Sequence, residues 1–243
     1  MSLEYKDETE PEQQAEDGLG EIRIPPPIYT IVILLCMSVA MAAQIYSGLE
    51  ESGYVAGFAK PRFLAGEYWR IITGAVVHGS FLHIFMNGYA LYSFGKLMEL
   101  LANRAHLATV FLLSAIGGGF LSLLFYPEGT SVGASGGIVG LLGYLVVYAF
   151  RRRQFVSPEF RKSLLINIGF ILVFGLVLYQ IIDNYGHIGG LLTGIVYGLI
   201  QIPSNEYVNP RDASGPTRIA GVAALGVYVG ATVLTIYLLL SVR

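Results

Sequence analysis

The sequence predicts an all-α polytopic membrane protein, on three observations. First, 54% of the 243 residues are hydrophobic and only 13% are charged, about half the charged share of a soluble domain. Second, seven runs are apolar over lengths close to the roughly 20 residues that a bilayer span needs. Third, with the N-terminus placed inside, the segments on its side hold 11 of the 15 Lys and Arg residues, which is the positive-inside pattern.

Residues 1–25 form an acidic tail, with eight of the 17 acids in the first 21 residues. The tail reads as a solvated, disordered cytoplasmic segment. It has neither the basic start of a secretory signal nor the basic bias of a transit peptide. Pro25, Pro26 and Pro27 give a stiff entry to the first span. Spans are expected at 28–46, 81–101, 107–126, 133–150, 164–182, 186–202 and 219–242. Residues 47–72 are too polar to cross. Tyr68, Trp69 and Arg70 within them suit a membrane interface, so they read as a long first loop lying in or on the outer leaflet. The organisation is therefore a six-helix core over 26–202, a linker over 203–216 and an additional transmembrane helix over 217–243.

Inside lie Lys6, Arg23, Lys96, Arg104, Arg151, Arg152, Arg153, Arg161, Lys162, Arg211 and Arg218. Outside lie Lys60, Arg62, Arg70 and Arg243. This orientation predicts a multi-pass protein of the plasma (inner) membrane with a cytoplasmic N-terminus. The formal net charge of -2 offers no basic face to nucleic acid. Cys36 is the only cysteine, which excludes an intrachain disulfide or a cysteine metal cluster and reads as a small buried hydrophobe.

Polar residues within spans are costly and mark function by default. Spans two, four and six all run from outside to inside. His83 and Asn87 fall in the first turns of span two, Ser135 in the first turn of span four, and His187 at the start of span six. One shallow layer should hold all four. Gly186, Gly190, Gly194 and Gly198 make a small-residue stripe on span six, and Gly133, Gly136, Gly137, Gly140 and Gly143 crowd span four. Such stripes let backbones approach closely, which would make Ser135 and His187 neighbours. Each feature also has a plainer reading. The glycines alone need only pack helices. Serine at a helix start is commonly a cap. A lone histidine packs or relays protons, and His83 with Asn87 can be interhelical glue.

Together the four side chains suit one chemistry. A serine hydroxyl needs a base to take its proton, and a neutral imidazole can take it and return it to a leaving amine. The resulting oxyanion needs preorganised donors. The free N–H groups of a helix start, here in Gly133-Ala134-Ser135-Gly136, supply one. His83 and Asn87, one helical turn apart on one face, add a ring N–H and an amide.

The set Trp69-Arg70, His78, His83-Ile84-Phe85-Met86-Asn87, Glu99, Gly133-Ala134-Ser135-Gly136 and Gly186-His187-Ile188-Gly189-Gly190 with Gly194 resembles the rhomboid family of intramembrane serine proteases. Order and spacing match over residues 67–202. The resemblance implies hydrolysis of a peptide bond within or beside a substrate's transmembrane helix, in the bilayer, by a Ser135–His187 dyad without a third acid. It implies an oxyanion hole of His83, Asn87 and the Ser135 backbone, with His78 supporting the cluster. Arg70 and Glu99 would hold the first loop and the end of span two. Span five and the loop at 183–185 would be gate and cap. It implies no metal, no cofactor and no particular oligomeric state. Val139 stands where many members have an aromatic under the histidine, and Tyr144 and Tyr185 are the aromatics available instead. Asp183 is close enough in sequence to influence His187, but reads first as a solvated loop charge. The span after Ile202 resembles a six-plus-one arrangement. Two other classes compete. A non-catalytic relative that binds membrane clients would typically lack the serine or the histidine. A transporter or channel would spread polar residues along a whole path.

Overall fold

The structure is a computed structural model and describes residues 25–241. The expected acidic tail, apart from Pro25, lies outside the described residues, as do Val242 and Arg243. Seven long helices dominate the described residues. α1 (Ile28–Ser47) follows Pro27 and stops at Gly48, whose φ is 100°. The expected first loop is itself folded. It holds α2 (Leu49–Ala56), the two-residue strand β1 (Phe58–Ala59), α3 (Lys60–Leu64) and α4 (Arg70–Thr73). β1 pairs antiparallel with β2 (Thr130–Ser131), Phe58 opposite Ser131. The remaining long helices are α5 (Phe81–Leu101), α6 (Arg104–Phe125), α7 (Ser135–Arg151), α8 (Pro158–Val177), α9 (Asn184–Gln201) and α10 (Gly215–Ser241).

Side-chain caps set several of these starts. Ser80, Asn103, Ser157 and Asp183 each accept a backbone N–H three residues on, opening α5, α6, α8 and α9. A cap of this kind contributes about 0.5–2 kcal/mol. The fifth span is expected at 164–182, but α8 starts earlier and ends at Val177. Ser157 and Pro158 begin the helix, and its polar first turn with Glu159, Arg161 and Lys162 hides that start from an apolar count. Among the described residues, α1, α6, α8 and α10 are the helices long and apolar enough, by length and composition, to cross a membrane. The other three, α5, α7 and α9, carry the candidate site residues.

Leu91, Met98, Leu107, Val110, Leu141, Leu142 and Leu145, from α5, α6 and α7, are fully buried at the centre. α9 packs on α7 and α6, while α10 lies against α6 and α1. α8 touches mainly α7 and buries only Leu164 and Gly175 among its described residues. Its outward Ile166, Phe170, Val173 and Leu176 are exposed, as befits a face solvated by lipid. Helices satisfy their backbone groups internally, which a hydrocarbon environment demands. The chain is an all-α polytopic membrane protein with a six-helix core, α1 and α5–α9, and a seventh helix, α10, docked on it.

Arg70 and Glu99 pin the frame. Arg70 is buried; its Nε donates to Glu67 Oε2 at 2.6 Å, and its Nη1 donates to Tyr54 O at 3.2 Å and Gly57 O at 2.9 Å. Those bonds close the first loop on itself. Glu99 Oε1 accepts from both the N–H and the hydroxyl of Thr30 at 2.8 Å, joining the end of α5 to the start of α1. In α10, fully buried Tyr228 donates to Ala75 O at 3.2 Å, so the seventh helix braces the segment leading to His78.

Candidate active site

α5, α7 and α9 begin in one layer, and glycine sets how close they come. A Cβ on Gly190 would strike the Gly136 carbonyl, and one on Gly194 would strike the Gly140 carbonyl. α7 and α9 therefore touch backbone to backbone. α6 joins them through glycines outside the two stripes of spans four and six: Gly118 faces the Gly186 carbonyl, and Gly189 faces Gly117 and Gly118. The approach brings Ser135 Oγ to 2.8 Å from His187 Nε2. For the hydroxyl to donate there, the imidazole proton must sit on Nδ1. That Nδ1 is buried and has no hydrogen-bond partner among the described residues.

The turn before Ser135 is shaped by Gly133. Its φ is 114°, in the left-handed region that glycine tolerates. A Cβ there would also lie 2.6 Å from His83 ring atoms. The Gly133 N–H donates to Gly74 O at 2.8 Å. His78 is completely buried beneath this turn. Its Nδ1–H donates to Val76 O at 3.1 Å, which leaves Nε2 to accept from the Ala134 N–H at 3.4 Å. Gln44 brackets the His78 backbone, accepting from its N–H and donating to its carbonyl. The His78 and His83 rings meet edge to face at 5.1 Å. Burial, with His83 beside it, pushes the His78 imidazole down to about 3, against the opposing pull of the Val76 carbonyl.

Asn87 is buried, and its Nδ2 gives one hydrogen to His83 O at 2.9 Å. Its Oδ1 has no partner among the described residues. α7 has no side-chain cap, unlike α5, α6, α8 and α9. Its first N–H groups, Ser135's included, lack intrahelical acceptors. A pocket of about 50 Å³ opens at Ser135 and His187. Its walls include Gly74, Ala115, Gly118 and Gly119, with Ser131 and Asp183 also facing it.

Two sequence readings are corrected. Tyr144 and Tyr185 do not supply the aromatic platform missing at Val139. Tyr144 stacks on His106 at 6.2 Å, and Tyr185 on Phe125 at 4.9 Å. Asp183 is no solvated charge. It caps α9 and accepts from Ser122 and Ser131, with Lys60 Nζ 3.8 Å away. Lys60 is fully buried, donates to Ser131 and lies over the Phe58 and Tyr126 rings. Burial pushes its ammonium below the ordinary lysine range, and the Asp183 carboxylate opposes that. Sequence reasoning counted Lys60 only as a topological charge. The β1–β2 pairing that buries it is non-local and leaves no sequence signal.

Comparison with known proteins agrees with this architecture. The sequence profile of the Rhomboid domain matches residues 65–204. "Rhomboid protease GluP" of Bacillus subtilis is 36% identical over 187 residues, 75% of this chain and 36% of that protein. "RHOMBOID-like protein 6, mitochondrial" of Arabidopsis thaliana is 35% identical over 152 residues, 61% of this chain and 49% of its own length. "Putative rhomboid protease YdcA" of Bacillus subtilis is 26% identical over 156 residues, 64% of this chain and 75% of that protein. The chain spans about half or less of the length of the first two. With the domain profile covering more than half of the sequence, and the helices and first loop arranged as described, the chain belongs to the rhomboid family.

Proposed function

We propose that the chain is an intramembrane serine endopeptidase that cleaves transmembrane segments of membrane proteins near the outer leaflet. The observation that carries this reading is the 2.8 Å approach of Ser135 Oγ to His187 Nε2 at the starts of two helices held together by glycine. Ser135 attacks the scissile carbonyl while His187 takes its proton, then returns it to the leaving amine. The developing oxyanion is met by the uncapped Ser135 N–H, the second hydrogen of Asn87 Nδ2 and the His83 ring. The pocket beside Ser135 has room for a small side chain next to the scissile bond. The sparse packing of α8 suits lateral entry of a substrate helix from the bilayer. The Lys and Arg distribution supports a cytoplasmic N-terminus and a site on the outer side of the plasma (inner) membrane. The name of the Bacillus subtilis relative, a rhomboid protease, points the same way.

A fluorophosphonate probe tests this without a known substrate. Purified wild type is expected to label, and Ser135→Ala and His187→Ala are expected not to. All three should melt within a few degrees of one another. Labelling of Ser135→Ala at the wild-type rate would remove Ser135 as nucleophile. An unlabelled but folded wild type would favour the non-catalytic, client-binding role.

A further inference from the structure

Among the described residues no acid meets the free nitrogen of His187, yet one carboxylate organises the segment it stands on. Asp183 Oδ1 accepts from the Gly186 N–H at 2.9 Å, and the Asp183 carbonyl accepts from the His187 N–H at 3.1 Å. Both oxygens thus fix the first turn of α9, and a carboxylate there also suits the helix dipole. Oδ2 is held by Ser122 of α6 and Ser131 of β2. Lys60 supplies the countercharge from the first loop, 3.8 Å away, and its own Nζ is tied to Ser131. Four segments meet in this cluster. The Lys60 side chain is 0% exposed and that of Asp183 only 21%. A fully buried ammonium persists only when paired and hydrogen-bonded, so Lys60 needs Asp183, whereas Asp183 keeps three other donors.

We infer that Asp183, charge-paired with Lys60 as a clamp, positions His187 for Ser135 and ties the start of α9 to the first loop through β2. Asp183 is the positioning residue and Lys60 its countercharge, and this rests on the protease reading. Lys60→Met leaves Asp183 with three donors and should cost little. Asp183→Ala removes the cap and frees the turn bearing His187. Asp183→Asn keeps a cap acceptor but strands a buried cation, and adding Lys60→Met relieves that.

The test is the second-order rate of fluorophosphonate labelling for wild type, Asp183→Ala, Asp183→Asn, Lys60→Met and the Asp183→Asn/Lys60→Met double variant. The labelling is corrected for folded fraction by size exclusion. Asp183→Ala is expected to label at least tenfold more slowly. Turnover of a single-span substrate should show the loss in kcat, with KM within twofold. The double variant should label at least threefold faster than Asp183→Asn alone, a charge-pairing signature that a merely steric role would not give. If Asp183→Ala aggregates, the comparison of Asp183→Asn with the double variant decides. Wild-type rates in the Asp183 variants, or no rescue in the double variant, would overturn the clamp and leave the protease reading intact. A folded wild type that does not label overturns both.

Discussion

His78 shows how a single buried residue shapes the turn before Ser135. It is spent between the Val76 carbonyl and the Ala134 N–H, and its neutral form is the one both bonds need. Its folded value, about 3, lies below the ordinary histidine value near 6.5. The stability tied to this group is therefore present above about pH 6.5 and lost as pH falls towards about 3, at up to about 1.4 kcal/mol per unit. Melting curves between pH 4 and 7 should show a shallower acid slope in His78→Gln than in wild type. Asn87 is the second informative residue. Removing one oxyanion donor costs on the order of 10²-fold in kcat, so Asn87→Ala should retain slow, measurable cleavage while its melting temperature changes little. Wild-type turnover would exclude Asn87 from the oxyanion site. Asn87 stood out in the sequence as a polar group within a span, and His78 was singled out only by the family resemblance. Lys60 did not stand out, because only the β1–β2 pairing reveals that it is buried.

At the scale of elements, the meeting of α7 and α9 decides whether a dyad exists. Gly190 faces the Gly136 carbonyl so closely that even a methyl group must push the helices apart. Gly190→Ala should therefore lower probe labelling more than 100-fold. Gly198→Ala, whose new Cβ would meet the Val147 side chain at 3.1 Å, should stay within about fivefold. Equal losses would mean that the stripe acts by general stability and not by spacing Ser135 from His187. The four-residue repeat in α9 was legible because helix periodicity puts those glycines on one face. The part played by Gly117, Gly118 and Gly119 in α6 was not, because a local run of glycines does not name its partner. The fold of the first loop was missed for a related reason. Helices of four to eight residues have little intrinsic stability, and here they are held by Arg70 and Thr73 reaching distant carbonyls.

For the whole molecule, the question is which way the bundle faces. Tyr54 in the first loop and Tyr207 after α9 are 73% and 81% exposed. In a Cys36→Ser background, a membrane-impermeant maleimide added to spheroplasts should modify Tyr54→Cys and spare Tyr207→Cys until the membrane is opened. The reverse result would invert the orientation and put the Ser135 layer on the inner side. The seventh helix belongs to this scale as well. Through Tyr228 and Ala75, and through Ser47 and Leu239, it bonds to the segment before His78 and to the end of α1, so it is built into the frame around the site.

The sequence by itself determined the class, the order of the long helices though not the bounds of the fifth, and the short roster of polar residues near the starts of three of them. Hydrocarbon imposes length, apolarity and charge asymmetry on each segment separately, and those constraints can be read one segment at a time. Tertiary structure alone decided what depends on segments meeting. It set the 2.8 Å separation of Ser135 from His187 and the fit of the His83 ring against Gly133. It engaged Tyr144 and Tyr185 elsewhere, and it turned Asp183 from a loop charge into a partly buried cap paired with Lys60. Burial and pairing are properties of neighbours, and the neighbours that matter here lie about 50 to more than 120 residues apart in the chain.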